Sequence, residues 1–245
     1  MTDATDLMSM HLADADQPFP AVDLADPSGL LALGGDLSPR RLLSAYAAGI
    51  FPWYNPGETI HWYSPDPRSI LLPAGLRVTR SHRRAVANGD YAMTMDHAFA
   101  EVISQCAAPR PQETGTWIGS DMQAAYLHLH QLGHAHSVEV WRDGELVGGL
   151  YGVASGRSFA GESMFSRARD TSKIALYWLC AQLAAWEFAL IDCQVTSDHL
   201  SSLGAVDVPR ADYLRLHTEA AARPGLPGPW RFDLPVPHSP RHLPA

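Results

Sequence analysis

Hydrophobic and polar positions change their spacing along this chain, and each spacing predicts a different element. Ser38 can cap a helix whose first position suits Pro39, with Leu42, Leu43, Tyr46 and Ala47 forming an apolar stripe up to Gly49. Ile60 to Tyr63 predicts a strand, ended by Ser64-Pro65-Asp66-Pro67, and Ser120 to Leu132 predicts a helix closed by Gly133. Val138 and Val140 share one face of the stretch Ser137 to Arg142. Asp143-Gly144 is a two-residue hairpin signal, with Glu145 to Val153 as the return strand. Gly156 marks a turn, and Ser158 to Phe165 predicts a third strand. Asp170, Thr171 or Ser172 caps a long helix to about Phe188, Leu190 to Val195 reads as a buried strand, and Pro209 to Ala221 as a final helix.

Hairpin, strand, helix, strand, helix is a mixed α/β (α+β) order. It suits the acyltransferase fold in which a hairpin sheet splays beside a parallel strand pair. Before it, from Phe19 to Pro67, prolines and glycines are dense enough to break long elements, which predicts a small N-terminal domain of short ones. The expected division is 1–66, with 1–16 a mobile leader, and 67–245. The tail from Pro224 is too rich in proline for regular structure, and no repeat points to a solenoid.

Composition narrows the function. The 245 residues carry 18 basic and 26 acidic side chains, a net charge of −8, so cations must be concentrated locally if the chain binds phosphate. A 46% hydrophobic and 18% charged chain excludes wholesale disorder. Lys173 is the single lysine, and the excess of arginine reads as nucleotide-composition bias. Cys106, Cys180 and Cys193 lack pairing or zinc-like spacing, which excludes a disulfide scaffold and predicts a cytoplasmic home. Four Asp and no cation between Met1 and Asp16 are wrong for a secretory signal or presequence. Ile174 to Ile191 is apolar, yet it holds Gln182 and Glu187 and has no cation flanking its C-terminal end, so a buried helix is predicted rather than a membrane span.

Two stretches carry candidate chemistry. In Gly161-Glu-Ser-Met-Phe-Ser-Arg167, a carboxylate, a hydroxyl and cations sit between a strand end and a helix start, where sheets of this kind expose ligand-binding amides. Alternation puts Glu162 and Met164 on one face. The bland reading is a surface turn. In Leu190-Ile-Asp-Cys-Gln-Val195, Asp192 and Gln194 point the same way from a buried strand. A buried carboxylate costs several kcal/mol unless it is paired, so Asp192 needs a partner, catalytic or structural.

Other features divide the same way. Lys173, in the first turn of the long helix, either pairs with Asp170 or reaches a phosphate. Arg77, Arg80 and Arg84 share a helical face and, with His82 and Arg83, make either a phosphate-binding stripe or a solvated surface. His128 and His130 diverge by about 200° on a helix, so with His134 and His136 they read as structural rather than as a metal centre. Trp53, Trp62 and Trp117, with Phe51, Tyr54 and Tyr63, are either core or a platform for a base.

Taken together, the blocks resemble the leucyl/phenylalanyl-tRNA–protein transferase family. They are Gly29-Leu-Leu-Ala-Leu-Gly-Gly-Asp-Leu-Ser38, Gly49-Ile-Phe-Pro-Trp53, Trp62-Tyr-Ser-Pro-Asp-Pro-Arg68, Gly115-Thr-Trp-Ile118, Gly133-His-Ala-His-Ser-Val-Glu139, Gly161 to Arg167 and Leu190 to Val195. The resemblance implies a cytoplasmic enzyme, a monomer without cofactor or metal. It would move Leu or Phe, and Met less well, from aminoacyl-tRNA to a protein beginning with Arg or Lys, marking it for N-end-rule degradation. It also implies an N-terminal domain joined to an acetyltransferase-like (GNAT-type) domain. Asp192 and Gln194 become the catalytic pair, with Glu162 orienting the donor's amino group. Trp53 and Trp117 flank the terminal adenosine. Phe159, Met164, Leu179 and Ile191 line the side-chain pocket, with Leu150 and Leu183 nearby. Arg80, Arg83 and Arg84, with Lys173, hold the tRNA backbone. The family more often carries Met at position 150, Phe at 179 and 183, and Asn at 197, so smaller aliphatic walls here bear on the Leu/Phe preference.

The aminoacyl ester is already activated, so the remaining work is positioning the amine, taking a proton and stabilising the oxyanion. An α-amine with an ordinary pKa of about 7.7–8.0 is partly neutral near pH 7. The expected scheme has Asp192 polarising Gln194, whose amide oxygen holds the attacking amine. Asp192 as direct base and a shuttle through the substrate's ribose hydroxyl are the alternatives. A coenzyme-A acetyltransferase would need a glycine-rich phosphate turn, and Ser166-Arg-Ala-Arg-Asp-Thr171 has no glycine. A non-catalytic adaptor for basic N-termini would need neither the buried Asp/Gln pair nor the arginines.

Overall fold

The computed structural model describes residues 11–12, 17–88, 90–109, 116–237 and 243. Two sheets organise them. The smaller contains β1 (His11–Leu12), β2 (Leu30–Gly34), β3 (Phe51–Pro52) and β4 (His61–Tyr63), in the order β1-β2-β4-β3. Helix α1 (Pro39–Ala47) begins as its sequence predicts: Ser38 Oγ accepts from the Arg41 N–H, and Pro39 takes the first helical position. Within the expected leader, His11 and Leu12 pair in parallel with Leu33 and Gly34, and Leu12 is buried.

After a four-residue link from β4 the chain enters the larger sheet through β5 (Arg68–Leu71). Its other strands are β6 (Ala92–Met95), β7 (Ala135–Arg142), β8 (Glu145–Ser155), β9 (Ser158–Ser166), β10 (Leu190–Gln194) and β11 (Val206–Val208), ordered β11-β5-β10-β9-β8-β7-β6. The predicted hairpin turn lies at Asp143-Gly144, where both residues have positive φ (52° and 81°), as a tight hairpin of this twist demands. Among the described residues of this sheet, β9 and β10 form the one parallel pair, over Ser158–Ala160 and Leu190–Asp192, and the two strands then part. That is the expected splay.

Helix α2 (Arg80–Asn88), α3 (Phe99–Ala107), α4 (Ser120–Gln131), α5 (Thr171–Ala185), α6 (Asp198–Ser202) and α7 (Arg210–Ala221) complete the fold. Adjacent residues of β8 feed opposite faces of the sheet: Leu150 joins the core under α5, Tyr151 the core under α3 and α4. The mixed sheet flanked by helices is the α/β class the pattern predicts. Among the described residues no helix is long and apolar enough to cross a membrane. Helix α5 instead buries Ile174, Leu179, Cys180, Gln182 and Leu183 against the sheet. It ends before the expected Phe188, because Glu187 takes a positive φ of 57°.

Sequence pattern missed β1, β2, β3, β5, β6, β11, α3 and α6. Leu30–Gly34 has no polar side chain and Arg68–Leu71 is wholly buried, so no polar/apolar alternation marks them as strands. Arg77 lies outside α2, with its backbone N–H donating to Leu203 O at 2.7 Å, so it does not share the helical face of Arg80 and Arg84. His128, His130, His134 and His136 do not gather into one cluster, although His130 and His136 both approach Asp96, at 3.9 and 2.7 Å. His130 stacks on Phe99 at 4.3 Å between ring centres, and His136 stacks on Trp230 at 3.7 Å with Nδ1 held 2.7 Å from Asp96 Oδ2.

Candidate active site

Each of the two parting strands carries an extra residue where they separate. In β9 the pairing with β8 skips from Tyr151↔Ser163 to Gly152↔Gly161, leaving Glu162 unpaired. In β10 the pairing with β5 skips from Asp192↔Ile70 to Gln194↔Ser69, leaving Cys193 unpaired. Gln194 itself takes a φ of 64°. Such bulges re-aim side chains, and here they override the simple alternation expected from sequence. Met164 packs with Leu150 in the core under α5, whereas Glu162 turns to Tyr126 in the core on the other face. Glu162 and Gln194 meet: Nε2 of Gln194 donates to Glu162 Oε1 at 2.8 Å.

Glu162 is buried, and Tyr126 donates to its second oxygen at 3.0 Å. The hydroxyls of Tyr126 and Tyr46 bond each other, and Tyr46 also steadies the carboxyl. Burial nevertheless dominates, and with the Asp192 charge nearby it pushes Glu162 up to about 7. A carboxyl titrating there exchanges protons at neutral pH.

Asp192 is placed differently. Arg68 clamps it side-on, Nε to Oδ1 at 2.8 Å and Nη2 to Oδ2 at 2.6 Å, and both side chains are buried. Tyr213 donates to Oδ2 at 2.9 Å, and the backbone N–H of Gln194 to Oδ1 at 2.9 Å. The Arg68 guanidinium lies between the rings of Phe51 and Tyr213, 4.8 and 4.5 Å from their centres. Burial alone would raise the Asp192 carboxyl, but Arg68 and these donors hold it below its ordinary value. Asp192 thus holds the Gln194 main chain, and the side-chain amide is engaged by Glu162. That geometry redraws the expected relay from Asp192 to the Gln194 amide.

Leu150, Phe159, Leu179, Leu183 and Ile191 are buried in one apolar cluster under α5, with partly exposed Met164 packed against it. Gly152 lets the Phe159 ring close down, since a Cβ there would come within 2.5 Å of Phe159 Cζ and 2.1 Å of Ala160 O. Trp53 is 44% exposed and packs edge-on against Tyr63. Trp117 is half-buried on the neighbouring loop. The Trp53 loop is tied to the start of α4 where Tyr54 bonds Asp121, and to the Trp117 loop where Gly119 approaches Pro56.

Arg80, Arg83 and Arg84 are exposed along α2. The buried His82 of that helix bonds the Lys173 carbonyl at 3.0 Å, which ties α2 to the first turn of α5. The Lys173 ammonium pairs with Asp170 at 3.1 Å, the structural half of the expectation. Among the described residues no group of three or more His, Cys, Asp or Glu is arranged to hold a metal ion.

Sequence reasoning missed Arg68, Tyr213, Tyr46 and Tyr126. Arg68 sits in a matching block, but its partner lies 124 residues away. The tyrosines read as ordinary core.

Known proteins converge on one family. The family model for leucyl/phenylalanyl-tRNA protein transferase matches residues 70–218, and that for its N-terminal domain matches 35–66. The leucyl/phenylalanyl-tRNA–protein transferase of Nitrosomonas europaea is 54% identical over 225 residues, 91% of this chain and 95% of that protein. That of Thiobacillus denitrificans is 57% identical over 217 residues, 88% and 95% of the two chains. Solved structures overlap only loosely: a GCN5-related N-acetyltransferase from Kribbella flavida shares 12% identity at a TM-score of 0.34 over 65% of this chain and 56% of that one, too little to bear on function. The chain belongs to the leucyl/phenylalanyl-tRNA–protein transferase family, enzymes whose substrates are an aminoacyl-tRNA and a protein.

Proposed function

We propose that this enzyme transfers Leu or Phe, and Met less well, from aminoacyl-tRNA to proteins whose N-terminal residue is Arg or Lys, acting in the cytoplasm as a monomer and marking the product for degradation. The observation that carries the chemistry is the contact of Glu162 with Gln194 where β9 and β10 part. With Nε2 committed to Glu162, Gln194 presents its amide oxygen to an incoming amine N–H. Glu162, titrating near 7, orients the donor's amino group, takes the proton released as the amine attacks the ester carbonyl, and returns it to the tRNA ribose oxygen as the ester C–O bond breaks. Asp192, kept ionised by Arg68, fixes the Gln194 backbone and serves as the frame of the pair.

The side chain of the transferred residue enters the apolar cluster of Leu150, Phe159, Met164, Leu179, Leu183 and Ile191, with the terminal adenosine between Trp53 and Trp117. Arg80, Arg83 and Arg84, seconded by Lys173, hold the tRNA backbone, and the chain divides at 66/67. No nucleotide or metal is needed to drive the step, because the ester is already activated.

Purified enzyme mixed with labelled Leu-tRNA should transfer label to a peptide beginning with Arg and leave one beginning with Ala unlabelled. Equal labelling of both would overturn the acceptor rule. Absence of any transfer would overturn the assignment.

A further inference from the structure

The segment after α7 carries no expected role, yet it is built into the molecule. Trp230 is 3% exposed and belongs to the same apolar cluster as Leu150, Phe159, Leu179, Leu183 and Ile191. Its ring stacks on His136, meets Trp186 and Phe188 edge-on at 5.1 and 5.6 Å, and lies 5.8 Å from the Phe159 ring. The segment is tied on both sides. Asp96 Oδ2 accepts from the Trp230 backbone N–H and faces His136 Nδ1. The fully buried Gln182 of α5 accepts from the Asp233 and Leu234 N–H groups at 2.9 and 3.3 Å, and Trp186 donates to the Asp233 carboxylate. Met93, on the outer edge of β6, donates its N–H to Pro237 O at 2.9 Å. The proline-rich tail is a strap that crosses from α5 to the sheet edge and drives one indole into the core.

We propose that Trp230 sets the depth of the pocket for the transferred side chain by backing Phe159, an inference that rests on the pocket reading above. Gly152 leaves the Phe159 ring room to lie down on the strand, and Trp230 stands behind that ring with its centre 5.8 Å away. A ring backed by Trp230 gives the proposed pocket a fixed floor. Interiors packed at this density do not close a vacated indole volume completely. A smaller residue at 230 therefore lets Phe159 recede and lengthens the hole, which favours the longer donor side chain. Trp230 acts through Phe159, as a specificity-determining residue that does not touch the reacting atoms.

The test compares kcat/KM for Phe-tRNA and Leu-tRNA in the full-length enzyme and in Trp230→Phe and Trp230→Leu, with KM for an Arg-peptide measured alongside. The Phe/Leu ratio should rise about fivefold or more in Trp230→Leu, less in Trp230→Phe, with the peptide KM unchanged. A ratio within about twofold of wild type in both folded variants, whatever their thermal stability, overturns the proposal. Should neither fold, Asp233→Ala, which loosens the strap and leaves the ring intact, is read by the same criterion. Leu179→Ala runs in parallel: if it shifts the ratio and the strap variants do not, Trp230 alone is refuted. If it too leaves the ratio unchanged, the pocket reading has failed.

Discussion

Gln194 donates its side-chain amide to Glu162 across 2.8 Å, at the point where two parallel strands stop pairing. Neither residue would reach the other from a regular strand. One is the unpaired residue of its bulge, and the other follows a bulge with a φ of 64°.

The proton balance of that contact is measurable. Burial pushes Glu162 from an ordinary 4.5 up to about 7. Activity that needs the carboxylate falls as pH drops below about 7, on top of the loss from protonating the acceptor amine. The low-pH limb of kcat/KM should approach a slope of about two for wild type and about one for Glu162→Gln, where only the amine titrates. Stability runs the other way. The folded state holds a proton that the unfolded chain releases between 4.5 and about 7, so this group's contribution to stability declines as pH rises through that window. Urea titrations from pH 5 to 8 should show the decline in wild type and lack it in Glu162→Gln.

Arg68 and Asp192 should behave as one unit. Asp192→Ala strands a buried guanidinium, Arg68→Ala strands a buried carboxylate, and each is expected to cost about 3–5 kcal/mol. The double variant should cost clearly less than the sum of the two. Denaturant unfolding reads the cycle. A transfer assay on whichever variants remain folded should show Arg68→Ala losing activity with Asp192→Ala, although Arg68 is absent from the expected catalytic set.

The walls of the donor pocket offer a third test. Leu179→Phe adds volume to a cluster that already contains Phe159 and Leu183, so it should disfavour Phe relative to Leu by about 1–3 kcal/mol in kcat/KM. Competition between Phe-tRNA and Leu-tRNA with one acceptor peptide measures the ratio directly.

Arginines on α2 should act on affinity. Replacing Arg80, Arg83 and Arg84 by Ala should raise KM for aminoacyl-tRNA and flatten its salt dependence by about 0.7–0.9 in log–log slope per lost phosphate contact. The acceptor-peptide KM should not move. Lys173→Ala should do less, because its ammonium is already shared with Asp170.

Local signals in the sequence were enough for the start of α5, the Asp143-Gly144 hairpin and α1, because each rests on a turn, a cap or a period that neighbouring residues complete, although Asp170 at the head of α5 takes a φ of 63° and makes no side-chain cap bond. The pairing of Asp192 with a partner was also legible, since a carboxylate in the run from Leu190 to Val195 cannot stay alone. Its identity was not, because Arg68 reaches it from another strand. The Glu162–Gln194 contact was hidden for a related reason. Alternation counts residues, and a bulge changes the count without leaving any mark in composition. Tyr46 and Tyr126 looked like any other aromatic on a helix face, and only the three-dimensional neighbourhood turns their hydroxyls toward a carboxyl.

Arg68 opens the larger sheet, yet the ring over one side of its guanidinium is Phe51, from the smaller one. The N-terminal module therefore packs on the Arg68–Asp192 pair and cannot drift without uncovering the cation that steadies Asp192. Chimeras that exchange this module between relatives should work only when the incoming residue at position 51 fits the Arg68–Tyr213 stack it must complete.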